Sequence, residues 1–183
     1  MKKVLLYLGN QVFDYNDVIS FLNEENIPYT IVSDKNKEDI IGDLLITNET
    51  NIKISSLFLI NFILFAGMNK YEVFAIIQKM QNLNISFSHK AMLTENNIKW
   101  NLQALLEEME EEHAFMLTYN KTHALLKEAN SLSYEDYVEE TFIPYRDAFL
   151  KAYMYIKQNK PDKDTLDELN ANIIKNRDQL KKK

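Results

Sequence analysis

The spacing most suggestive of chemistry in this chain is Glu110 and His113, a Glu-x-x-His pair. Placed on a helix, it is the ligand pair of carboxylate-bridged two-metal bundles, and Glu110 and His113 are the candidate metal ligands. Such a centre needs a second Glu-x-x-His and two further glutamates on facing helices. His89 and His123 have no glutamate three residues before them. His113 also falls on an apolar stripe with Leu102, Leu105, Leu106, Met109, Met116 and Leu117, which reads as a histidine at the edge of a core. A metal-dependent enzyme built on this pair is therefore the alternative reading and not the leading one.

Other reaction chemistries lack their parts. Cysteine is absent, which removes disulfides and thiolate catalysis. No Gly-x-Ser-x-Gly elbow can be written. The three glycines, Gly9, Gly42 and Gly67, are too far apart for a dinucleotide fingerprint or a P-loop. A phospho-acceptor would need carboxylates where the first and third strands end, and those ends read Tyr7-Leu8-Gly9 and Phe65-Ala66-Gly67. The residues point away from an enzyme, and no cofactor is expected.

What remains for ligand chemistry is Gly9 and Gly67. Each follows an apolar strand, and a turn without a Cβ lets a ligand approach the backbone closely. If internal symmetry brings the two turns together, they border a crevice for a small molecule or peptide. The leading expectation is thus a non-catalytic binding or regulatory module, with a purely structural interaction protein as a further alternative.

The elements that must position these residues follow from periodicity. Val4 to Leu8 is a nearly continuous apolar run, as in a strand covered on both faces. Asn10 punctuates it. Val18, Ile19, Phe21 and Leu22 recur at helical spacing, with Asp14 or Asn16 as N-cap, and Tyr29-Thr30-Ile31-Val32 is a strand. Residues 37–45 suit a short helix. The pattern then restarts: an apolar run from Leu57 to Ala66, a helix carrying Val73, Phe74, Ile76, Ile77 and Met80, and a strand from Asn84 to about Met92. Asn26-Ile27-Pro28-Tyr29 matches Asn84-Ile85-Ser86-Phe87, so residues 1–55 and 56–98 read as two copies of one βαβ unit. Two such halves in series predict an α+β, ferredoxin-like βαββαβ domain over residues 1–98, with a doubly wound parallel sheet as the main competitor.

The junction after the last strand is the most motif-like part. Asn97 suits the tight turn, Asn101 suits a helix N-cap, and Trp100 and Leu105 then occupy the positions of a hydrophobic staple. Ala91, Thr94, Asn97, Trp100, Leu102, Leu105, Leu106, Glu108, Glu112 and His113, with Phe65-Ala66-Gly67 and Glu72 upstream, resemble a bacterial domain of unknown function, family 3783. The resemblance covers about residues 57–115, with a diverged first copy in 1–55. It implies kinship and assigns no catalytic residue.

Residues 99–183 read as an all-helical extension packed on the first domain. Ser133 to Asp136 resembles a capping box. Val138, Phe142, Tyr145, Phe149, Ala152 and Ile156 form a seam, which Pro144 should kink or divide. A break at Asn159-Lys160-Pro161 precedes a last helix capped by Asp164, and Lys181-Lys182-Lys183 reads as its frayed end. Tyr134, Tyr137, Tyr153 and Tyr155 spread aromatic surface around the tail, so a homodimer or docking of another protein through these helices is expected.

A net charge of −6 over 183 residues argues against nucleic acid or an anionic membrane as partner. Tyr7, Phe58, Phe62 and Phe87 could stack bases on a sheet, but no Lys/Arg-Gly-Phe pattern accompanies them. The apolar runs are too short for a signal peptide or a membrane span. A cytoplasmic protein is expected.

Overall fold

The computed structural model describes residues 2–9, 13–157 and 160–183. The breaks expected at Asn10 and Asn159 lie outside them. The chain divides into two compact units, Met1–Glu110 and Glu111–Lys183.

The first unit is a mixed α+β fold. Its elements are β1 (Lys3–Leu8), α1 (Tyr15–Glu24), β2 (Tyr29–Val32), the short α2 (Ile41–Leu44), β3 (Asn61–Ala66), α3 (Lys70–Asn82), β4 (His89–Met92) and the start of α4 (Leu102–Asn130). The strands form one sheet in the order β2-β1-β3-β4. β1 runs parallel to β2, β3 runs parallel to β4, and β1 meets β3 antiparallel, with Lys3 opposite Ala66 and Leu8 opposite Asn61.

This order corrects the ferredoxin-like expectation. There, each crossover leaves a gap that the other half fills; here each β-α-β half keeps its two strands adjacent. Both folds share the element order βαββαβ, so hydrophobic periodicity does not separate them. The informative feature is the connection from Val32 to Asn61. A ferredoxin-like sheet closes that step with a hairpin, whereas residues 33–60 carry α2 and a long segment across to β3.

Alternation along the strands builds two cores. Val4, Leu6, Leu8, Ile31, Ile63 and Phe65 face α1 and α3, meeting Val18, Phe21, Leu22, Val73 and Met80. Leu5, Tyr7, Val32, Phe62, Leu64 and Ala66 face the other way, against Ile41 and Leu44 of α2, its C-cap Leu45, and Leu102, Leu105 and Leu106 of α4. β1 and β3 are therefore buried at every position, as their continuous apolar runs require.

The two halves also agree in local detail. α1 and α3 end alike: Asn26 and Asn84 adopt left-handed backbone, φ 54° and 58°. In each case the following N–H reaches back to the helix, Ile27 to the Leu22 carbonyl (2.8 Å) and Ile85 to that of Met80 (2.9 Å). Past β2 and β4 the same local ring recurs, Ser33 N–H donating to Asn36 Oδ1 (3.0 Å) and Thr94 N–H to Asn97 Oδ1 (2.8 Å). The two junctions then pair with each other, Ile41 N–H on the Trp100 carbonyl (2.9 Å) and Leu102 N–H on that of Asp39 (3.0 Å). α2 is thus the stunted counterpart of α4.

The second unit contains the rest of α4, α5 (Glu139–Ile156) and α6 (Lys163–Arg177). Its core joins Leu125, Leu126, Ala129, Phe142, Tyr145, Ala148, Ala152, Leu169 and Ile173. Four expectations need correction. α5 is one continuous helix through Pro144, so the chain is not divided there; the missing N–H falls early in the helix, opposite the exposed residue Glu140. Ser133 makes no side-chain cap, and α6 is capped by Asp162, not Asp164, through Thr165 N–H to its Oδ1 (2.9 Å). The C-terminal lysines do not fray. Val138 N–H donates to the Lys181 carbonyl (2.8 Å) and Lys183 N–H to that of Asp136 (3.1 Å), and Tyr137 bridges Lys182. Among the described residues no helix is long and apolar enough to cross a membrane.

Candidate binding crevice

The site begins with two turns. At the end of β3, Gly67 takes φ 66°, a conformation that favours glycine, and this turns Met68 inward before Asn69 caps α3. Asn69 Oδ1 accepts from Tyr71 N–H (2.9 Å) and Glu72 N–H (3.1 Å), while Glu72 Oε2 accepts from Asn69 N–H (2.9 Å), closing a capping box. Across from it, α1 ends at Glu25, and the left-handed Asn26 sends Ile27 and Pro28 toward β2.

Between these turns lies a crevice of about 320 Å³. Its apolar lining comes from Ile27, Pro28, Met68, Ala75 and Ile76. Four charges line it as well. Lys2 pairs with Glu72, and Lys79 contacts both carboxylate oxygens of Glu25 at 2.6 and 2.8 Å. The Lys2 ammonium, with the Asn69 amide, holds the Glu72 carboxyl below the usual carboxylate range. The volume sits at the low end of the roughly 300–1,000 Å³ usual for ligand clefts, and the lining is more charged than is usual for them.

Larger depressions lie elsewhere among the described residues. One of about 470 Å³ lies between α5 and α6, beside Met154, Tyr155 and Leu169. Another, about 570 Å³, lies beside Leu93, Thr94, Glu95, Ile98 and Lys99. Neither carries opposed ion pairs.

Gly9 and Gly67 do not share a crevice. Because β1 and β3 are antiparallel, Gly9 follows Leu8 at one end of the sheet and Gly67 follows Ala66 at the other. Gly9 serves chain packing: its N–H donates to the Ile60 carbonyl (2.9 Å), and a Cβ there would run into the carbonyls of Phe58 and Ile60. Nearby, Asp34 accepts from Tyr7 Oη (2.6 Å) and from the amides of Ser56 (2.8 Å) and Leu57 (3.2 Å). Burial, with the bond to Asp34, pushes the Tyr7 hydroxyl up to about 12. Burial alone would raise the Asp34 carboxyl, but Tyr7 and the two amides outweigh it and hold it low. The carboxyl edge of β1 and β2, where open α/β sheets bind ligands, is thus covered by residues 55–60.

Glu110 and His113 are both exposed, so the core-edge position expected for His113 does not hold. Among the described residues no group of three His, Asp or Glu stands close enough to hold a metal. His89 is buried, with Nδ1 against Ser88 Oγ at 2.6 Å.

At the junction, Asn97 is buried and ties three points together. Its Oδ1 takes the Thr94 amide, its amide donates to Thr94 Oγ1 (3.1 Å), and its Nδ2 donates to the Met92 carbonyl (3.0 Å). Asn101 Oδ1 accepts from Ala104 N–H (2.8 Å) as the N-cap of α4, and Leu105 is buried in the second core. Trp100 stands 36% exposed and outside both cores. The expected staple is therefore replaced by backbone pairing, since the Trp100 carbonyl is held by Ile41.

The four tail tyrosines do not form one patch. Tyr137 packs on Phe142, and Tyr155 Oη bonds Asp162. Tyr134 and Tyr153 remain exposed, with the ammoniums of Lys183 and Lys157 over their rings.

Sequence reasoning missed the crevice because Lys2, Glu25, Glu72 and Lys79 have no motif spacing. The only local signals were the turns at Asn26 and Gly67. The model of a domain of unknown function (DUF3783) matches residues 61–116, which is β3, α3, β4 and the first half of α4. No curated protein and no solved structure matches the chain.

Proposed function

We propose that the protein is a non-catalytic binding module that holds a small molecule in the crevice between the end of α1 and the start of α3. The observation that carries this is an asymmetry between the two halves. The C-caps Glu25 and Leu83 correspond, as do the residues four before them, Phe21 and Lys79, and the residues preceding β1 and β3, Lys2 and Ile60. A charged rim demanded by the fold would occur in both halves. Leu83, Phe21 and Ile60 are apolar, and only the counterpart of Glu72, Asp17, is charged, so of the four corresponding positions one carries a charge and none is a lysine. Stability gives little reason for the rim, since exposed ion pairs contribute only about 0–1 kcal/mol.

The test is a thermal-shift screen of metabolite-sized compounds on the full chain and on Ala75→Phe. Ala75 is exposed and lines the crevice, so the substitution fills it without touching the core. A compound that raises the melting temperature of the wild type and not of Ala75→Phe supports the reading. Compounds that stabilise both equally overturn it.

A second reading is favoured by the outer face of α5. Leu150, Tyr153 and Met154 are exposed at helical spacing, and Met154 borders the depression between α5 and α6. This face supports self-association or docking of another protein through the helical unit. Light scattering of wild type against Tyr153→Glu with Met154→Glu tests it: a dimer that dissociates supports the reading, and an unchanged monomer overturns self-association.

A further inference from the structure

We infer that the crevice selects a small zwitterion with an aliphatic side chain, of the α-amino-acid class; this rests on the binding reading above. Charge balance sets this selectivity. Two cations and two anions line the crevice, each already paired with its opposite: Lys2 with Glu72 and Lys79 with Glu25. A ligand carrying a single charge would take one partner out of a pair and leave the other without its counter-ion. A zwitterion exchanges a protein pair for two protein–ligand pairs and leaves no charge alone.

The surroundings give the exchange a direction. α1 ends at the crevice with no basic residue in its last turn, although the C-terminal end of a helix favours a cation. α3 by contrast has Lys79 in its last turn. Glu24 and Glu25 add further negative charge where α1 ends. An ammonium group therefore belongs beside Glu25 and the terminal carbonyls of α1. Lys79, released from Glu25, and Lys2 take the carboxylate. Ile27, Pro28, Met68 and Ile76 then accept a branched aliphatic side chain. The modest volume excludes large ligands.

The inference is tested by calorimetric titration of the full-length chain with three probes: L-leucine, isoamylamine, which lacks the carboxylate, and 4-methylpentanoate, which lacks the amine. Leucine is expected to bind and the two single-charge compounds to bind at least about tenfold more weakly. Glu25→Leu and Lys2→Ile place in this half the residues that the other half carries. Each is expected to weaken leucine about tenfold or more while leaving the melting temperature of the free protein near wild type. Equal binding of leucine and one single-charge compound overturns the zwitterion inference and leaves the crevice as a site. Failure of leucine to bind at millimolar concentration, with other compounds still sensitive to Ala75→Phe, overturns the inference alone. Failure of every compound to show that sensitivity overturns the binding reading with it.

Discussion

Ile40 and Asn101 stand opposite each other as an antiparallel bridge, each the residue just before a helix. The residues after them, Ile41 and Leu102, donate to the carbonyls of Trp100 and Asp39, so each junction caps the other. Two β-α-β-α halves thus close a single sheet through β1 and β3 and close the opposite layer through this bridge. The first half needs only the first turn of its second helix, because Ile41, Leu44 and Leu45 already supply the apolar contacts that Leu102, Leu105 and Leu106 make in the second.

The matched helix ends give a paired prediction. Asn26 and Asn84 sit in left-handed backbone, which costs a residue with a Cβ about 1–2 kcal/mol unless it is asparagine or glycine. Asn84→Ala and Asn26→Ala should each lower stability by about 1 kcal/mol, and the glycine variants should match wild type or exceed it. Urea midpoints at constant slope provide the comparison. Equal loss for alanine and glycine would place the effect in the side-chain contacts instead.

Asn97 and Asn36 form the same ring but not at the same depth. Asn97 is buried and also holds the Met92 carbonyl, whereas Asn36 Nδ2 reaches the exposed Asp39 (2.9 Å). Leaving buried groups without partners costs about 1–3 kcal/mol. Asn97→Ala should fall in that range, and Asn36→Ala should cost clearly less. Chemical denaturation of the two variants decides it, and a larger loss at Asn36 would contradict the ranking.

Trp100 and Leu105 separate more sharply. A staple would make Trp100→Ala costly. With Trp100 partly exposed and outside the cores, the substitution should cost about 1 kcal/mol or less. Leu105 is fully buried in the second core, and Leu105→Ala should cost about 2–5 kcal/mol. Thermal melts of both variants, converted at the transition temperature, give the comparison.

These contrasts show where the sequence was readable. Local rules located β1 and β3 by their apolar runs, α1 by Asp14, the repeat by Asn26 and Asn84, and the α4 cap by Asn101, because each depends on residues within a turn of one another. Strand order depends on which neighbour a strand meets across the sheet, and the Val4 and Phe62 runs look the same in either arrangement. The length of residues 33–60 held the only sequence clue. The crevice was illegible for the same reason: Lys2 and Glu72, or Glu25 and Lys79, come together only after the sheet has formed. Asp164 marks a finer limit: the cap is Asp162, an aspartate two residues earlier, and residue type alone does not separate the two positions.

Asp162 supplies the last prediction, a pH dependence confined to the helical unit. Its carboxylate accepts from Tyr155 Oη and from Thr165 N–H at the start of α6, and these bonds, Tyr155 first, lower it to about 2. A carboxyl held lower in the folded state than in the unfolded chain stabilises the fold at pH values above its ordinary value. That contribution shrinks as pH falls below about 4 and is gone once pH has passed below about 2. Asp162→Asn removes the charge and keeps a capping oxygen. The variant should therefore be less stable than wild type at neutral pH, and the difference should narrow steadily between pH 4 and 2. Tyr155→Phe should lose part of the same dependence, because it removes the largest single cause of the shift. Urea titrations at fixed pH values across this window measure it. A gap between wild type and Asp162→Asn that stays constant to pH 2 would mean that the carboxylate charge does not stabilise the start of α6.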